Sequence, residues 1–162
     1  MNFIDLFHHT ITQMNHNDSW IAGVTLAIPS WIMKQHDLLP NQYHDVMILA
    51  LLVVIMMDWI AGTALARKSP KVIKQSNKAI DSLIRDFMII LCVFLAYLLD
   101  LALQSGSIIF AIFAGAFIWQ NFISVMANIY VLGWEKYFPM WLVKLISNEI
   151  THKIKKYLDG DK

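Results

Sequence analysis

Three apolar stretches, 46–66, 87–103 and 108–132, are separated by one basic loop and one short uncharged hinge at 104–107. A bilayer hydrocarbon core about 30 Å thick is crossed by roughly 20 helical residues, a length that the first and third stretches reach outright. The second is a few residues short. Its Leu, Ile, Phe and Val residues contribute about −3 to −7 kcal/mol to insertion, against about +2.5 to +3.5 for its one Asp, so it is also expected to insert. With 162 residues, 57% hydrophobic content and a mean hydropathy of +0.52, the chain is too apolar for a soluble domain of its size. An all-α integral membrane protein with three transmembrane helices in one compact unit is therefore expected.

Charge sets the expected orientation. No Lys or Arg precedes Lys34, whereas Arg67, Lys68, Lys71, Lys74, Lys78 and Arg85 crowd between the first two stretches, opposed by Asp81 and Asp86. The positive-inside rule places this loop at the cytoplasmic membrane surface, the hinge outside, and the tail with Lys144, Lys153, Lys155 and Lys156 back in the cytoplasm. The N-terminal region is then external. Asp5 and Asp18, with no basic residue beside them, are unlike a cleaved signal peptide. Cys92, the single cysteine, lies within the second stretch and supports no intrachain disulfide.

Flanking the spans, region 1–45 begins with Phe3, Ile4, Leu6, Phe7, Ile11 and Met14 at roughly helical spacing, the pattern of a short amphipathic helix. The apolar segment 20–33 contains Pro29 and would reach only about 21 Å as a helix, which favours an interfacial or re-entrant segment over a fourth span. In region 133–162, Pro139 opens a helix whose Leu142, Ile146, Ile150, Ile154 and Leu158 form one apolar stripe. Trp134, Tyr137 and Trp141 collect where the membrane interface should lie.

Polar residues inside the spans carry the functional information. Asp58 stands about 13 Å above the basic loop by helical rise, with Gly62 and Ala66 following on its face as a small-residue surface for close helix approach. It is either a neutral carboxyl bonded to a neighbouring helix or a group that faces water or tunes assembly. Asp100 lies nearer the hinge, between Ala96 and Gln104. In the third span Asn121, Ser124 and Asn128 form one stripe flanked by Gln120, and such a face is expected to meet another copy or water rather than lipid. These residues are the candidate pore-lining or assembly set. His8, His9, His16, His36 and His44 fit no metal-site spacing, and nucleophile elbows, phosphate loops and zinc-hydrolase motifs are missing, so no catalytic residue, metal or cofactor is expected.

The run MDWIAGTALARK, the basic loop and IRDFMIILCVFLAYLLD together resemble the phage lysis and toxin-secretion holin family, with Asp58, Gly62, Lys68, Ser76, Arg85 and Asp100 at the matching positions. NFISVMANIYVLG is similar to a later pattern of that family, through Asn121, Ser124, Val125, Ala127, Asn128, Leu132 and Gly133. The resemblance covers roughly 46–145. It departs at Ala79 and Ser82 for loop glycines, at Asp86 for a lysine, at Asn121 and Ala127 for two glutamates, and at Pro139, which stands alone several residues after the turn. It implies a non-enzymatic protein of the bacterial cytoplasmic (inner) membrane that self-associates among membrane lipids and opens a lesion for endolysin or another protein cargo, with no nucleic-acid partner. Two other readings stay open: a small proton-coupled transporter using Asp58, and a structural subunit that docks a larger assembly.

Overall fold

The computed structural model describes residues 8, 10–12, 14–15, 18–36, 42–69 and 75–157. Every regular element among them is helical: α1 (Ser19–Gln35), α2 (Tyr43–Lys68), α3 (Gln75–Leu103), α4 (Ile108–Ile129), α5 (Met140–Leu145) and α6 (Ser147–Tyr157), with a π-helical turn at Tyr130–Trp134 and a 3₁₀ turn at Glu135–Tyr137. Three helical stretches are long and apolar enough to cross a membrane, Tyr43–Lys68, Ile80–Leu103 and Ile108–Tyr137. The chain is an all-α integral membrane protein, as its apolar pattern indicates.

The second span reaches full length because α3 starts well before the apolar stretch and carries Asp81, Arg85 and Asp86 on its first turns. Propensity alone does not favour that extension, because Asp is a weak helix former; Arg85 and Asp86 are held there by their contacts within the bundle. At the other end, the reversal into α4 is made in four residues. Gln104, Gly106 and Ser107 all take left-handed backbone conformations, with φ of 52°, 68° and 70°. A further left-handed residue, Gly133 at φ 103°, ends the α4 rod, and an ideal side chain there would meet open space. It is the backbone angle that calls for glycine.

α4 is the hub of the bundle, and α1, α2, α3 and α6 all pack on it. This explains why its buried positions, from Phe110 and Ala111 to Ala127 and Asn128, go all round the helix rather than along one stripe. Near the hinge end Leu51, Ile55, Ile89, Val93, Phe110, Ala114 and Phe117 form the main core, with Met14 reaching into it from the N-terminal side. Near the basic end Ile123 and Ala127 meet Ile146 and Ile150. The large side chains of α2 and α3 that point away from α4, among them Leu49, Met56, Ile60, Phe87, Leu95 and Leu101, are exposed, which is the surface a bilayer would cover.

α1 runs antiparallel to α4. Trp31 and Lys34 lie beside Gly106, and Gly23 and Leu26 lie beside Gly115, so the two helices meet through small residues. The helix accommodates Pro29 and is about 25 Å long by its rise, shorter than the three spans. Of the amphipathic segment expected over 2–14, positions 2–7 lie outside the described residues, while His8, Thr10–Thr12 and Met14 are helical and Met14 is buried.

The C-terminal stripe is not one continuous helix. The chain leaves helical geometry at Ile146 between α5 and α6, where the Ser147 hydroxyl donates to the Lys144 carbonyl. Serine and asparagine side chains compete for backbone groups in this way and favour helix starts. Leu142, Ile146 and Ile150 pack on α4. Ile154 is exposed, and Leu158 lies outside the described residues.

Candidate functional site, a charged network between the spans

Asp58 stands ten residues before the end of α2 and Arg85 ten residues after the start of α3. In an antiparallel hairpin, positions equidistant from the connecting loop come level, and the two side chains meet. Arg85 Nη2 lies 3.5 Å from Asp58 Oδ2, and its Nε and Nη2 donate to Asp86 Oδ1 at 2.9 and 2.8 Å. From the hub helix, Asn128 Nδ2 donates to Asp58 Oδ1 at 2.9 Å. One network therefore ties α2, α3 and α4 together about 15 Å inside the end of α2.

The carboxylate side chains are 10% exposed at Asp58 and 6% at Asp86, and the guanidinium side chain 23%. Asp86 Oδ2 and Asn128 Oδ1 are buried and take no hydrogen bond among the described residues. Formally, two carboxylates face one guanidinium. A buried pair of this kind adds little net stability over an apolar contact, but removing one partner leaves an uncompensated charge and is costly. Its contacts join three helices at one level.

Asp100 has a different task. Its carboxylate accepts from the Ser105 hydroxyl, from Ile109 N at 3.1 Å and from Phe110 N at 2.6 Å. It thus caps the first turn of α4 from the preceding helix, satisfying amide groups that have no intrahelical partner and placing a negative charge at the positive end of that helix. Beside it His44 Nε2 and Ser107 Oγ lie 3.0 Å apart, and the His44 ring packs on Phe110 and Tyr97.

A family model described as Bacteriophage holin family matches residues 42–149. The chain belongs to the bacteriophage holin family. The match begins at the residue before α2 and ends in the first turn of α6, so the charged network and the Asp100 hinge both lie inside the holin unit and α1 lies before it. Comparison with curated proteins and with solved structures gives no match.

Within the holin unit, the other residues singled out in the sequence fall as follows. The buried stripe of α2 runs through Leu51, Ile55, Asp58, Ala61 and Leu65, so Ala66 is only half-buried. Gly62 faces the network, and a side chain there would meet Asn128 Nδ2 at an ordinary 3.7 Å. The polar stripe of α4 is taken up within the chain rather than presented as one surface. Asn121 donates to the Phe117 carbonyl of its own helix, Asn128 to Asp58, and Ser124 accepts from Lys153 of α6 at 3.1 Å. Gln120 is buried beside them.

Arg67 and Lys68 are exposed at the end of α2, where Lys68 Nζ reaches the Leu132 carbonyl at 3.1 Å. Lys71 and Lys74 lie outside the described residues, as does the side chain of Lys78. Arg85 differs from the expectation that grouped it with these surface cations, because the α3 helix carries it into the bundle, where two carboxylates hold it. The signal for that pairing was its equal distance from the loop. Lys153, expected with the cations of the cytoplasmic tail, is half-buried against α4, 3.6 Å from the buried Glu149.

Proposed function

We propose that this holin accumulates in the bacterial cytoplasmic membrane, self-associates, and at a critical density opens a lesion wide enough for an endolysin or another folded cargo. The observation that carries this reading is the charged network of Asp58, Arg85, Asp86 and Asn128 inside a three-span unit that belongs to the holin family. Such a network is stable only while its members stay together, so it holds the dispersed protomer closed. The burial of Asp58, Asn121 and Asn128 favours this role over permanent lining of a water-filled lumen. Asp100 serves the hinge, and Gly62, Ala66, Gln120 and Ser124 serve helix contacts within or between protomers. Arg67, Lys68 and the loop cations are assigned to the cytoplasmic leaflet together with Trp134, Tyr137 and Trp141; Arg67, Lys68 and the three aromatic residues are exposed.

The test is graded expression in a bacterium with release of a cytoplasmic reporter enzyme measured against membrane-bound protein. The proposal expects no release below a threshold density and abrupt release above it, with Asp58→Asn shifting the threshold. Release proportional to protein at every density, or none, would count against it.

A further inference from the structure

With Asn121 and Asn128 buried and Ser124 engaged by Lys153, α4 offers little exposed polar surface, whereas α6 offers a continuous one. α6 docks through Ile146 and Ile150 on Ile123 and Ala127, through the Glu149–Lys153 pair on Ser124, and through the Tyr157 carbonyl on the Ser69 hydroxyl at 2.8 Å. Its opposite face carries Asn148, Thr151, His152 and Lys155, all exposed.

The depth of that face is what matters. Ser124 precedes Leu132 by eight residues, and the Leu132 carbonyl is held by Lys68 at the end of α2, so Ser124 lies about 12 Å above that end. α2, with 26 residues, is about 39 Å long and overshoots a 30 Å hydrocarbon core by only about 4–5 Å at each end. The first half of α6 therefore stands at hydrocarbon depth. Lipid cannot solvate the exposed Asn148 amide there. α5, next to it, is more apolar, exposing Met140, Trp141 and Leu145 beside Lys144 in its last turn. The C-terminal hairpin thus has one face suited to lipid and one that is not.

We infer that the Asn148/Thr151/His152/Lys155 face of α6 is a wall that contacts water in the assembled lesion, with α4 behind it as support. This rests on the holin reading and names the residues that line the opening. In the dispersed protomer the same stripe reaches cytoplasmic water only at its Lys155 end and the Thr151 hydroxyl donates to the Ser147 carbonyl, so bringing several α6 faces round one hydrated space brings water to the Asn148 amide as well.

The experiment compares wild-type protein with two double variants, Asn148→Leu/Thr151→Leu and Asn148→Glu/Thr151→Glu, in reporter release from cells and in ion selectivity in planar bilayers. Both positions are exposed, and helical circular dichroism with thermal melting checks that each variant is folded. The inference expects the leucine pair to abolish release and the glutamate pair to retain it with a shift towards cation selectivity. Release by the leucine pair, loss of release in both, or unchanged selectivity of the glutamate pair would overturn it. If the leucine pair does not fold, the selectivity of the glutamate pair decides. Failure of the wild-type protein itself to release reporter would instead refute the holin reading.

Discussion

Arg85→Met removes the one cation from the network while keeping most of the side-chain length. The guanidinium lies 3.5 Å from Asp58 and 2.8 Å from Asp86. At an effective dielectric of about 20, each contact is worth about 5–6 kcal/mol of Coulomb attraction before desolvation is subtracted. Desolvation of all three groups cancels much of this, and the net loss for breaking a buried pair is about 3–5 kcal/mol. The 23% exposure of the Arg85 side chain puts the expected loss at the lower end, about 3 kcal/mol. Two donors on one Asp86 oxygen against a single long contact to Asp58 also predict unequal coupling. In double-mutant cycles the Arg85–Asp86 term should exceed the Arg85–Asp58 term, each lying within about 0.5–3 kcal/mol. The assay is reversible unfolding of the detergent-solubilised protein, followed by circular dichroism. An Arg85→Met variant within about 1 kcal/mol of wild type would refute the claim that this cation is needed to hold the buried carboxylates.

Three further outcomes follow from the packing. Gly23→Ala places a Cβ 2.3 Å from the Ile112 carbonyl and 3.1 Å from Ala116, so α1 must move off α4 at a cost of about 1–3 kcal/mol in thermal unfolding, whereas Gly62→Ala, with its nearest atom at 3.7 Å, should be close to neutral. Asp100→Ala leaves the Ile109 and Phe110 amides without their acceptor and should cost about 2–3 kcal/mol by the same measurement, with Asp100→Asn retaining part of the cap. Asn121→Leu combined with Asn128→Leu removes the Asn128 donor from Asp58 and should shift the onset of permeabilisation in cells; an unchanged onset would remove both residues from assembly and lumen roles alike.

The three spans were legible because membrane insertion depends on summed hydropathy over a helix length, a property written directly in 46–66 and 108–132. The start of α3 was less so, since a helix with Asp81, Arg85 and Asp86 on its first turns looks like loop until the partner carboxylate of Asp58 is in place. Asp58 and Asn128 stood out as polar groups in apolar helices, but their direct bond depends on how α2 and α4 are rotated and staggered against each other, which no local pattern records. Asp100 is similar: only the three left-handed residues of the hinge bring the α4 amides back to its carboxylate. The fold of the C-terminal region diverged for a local reason. A stripe repeating every four residues predicts one helix, yet the chain leaves helical geometry at Ile146 and a new helix starts at Ser147, with Glu149 and Lys153 turned inward.

The most direct test of the central claim is simultaneous recording of membrane potential and release of a cytoplasmic enzyme from single bacterial cells expressing the chain. The account predicts abrupt depolarisation and enzyme release in the same cell at the same moment. Slow or partial depolarisation with the enzyme retained would contradict a protein-sized lesion and point instead to a small-solute pathway through Asp58.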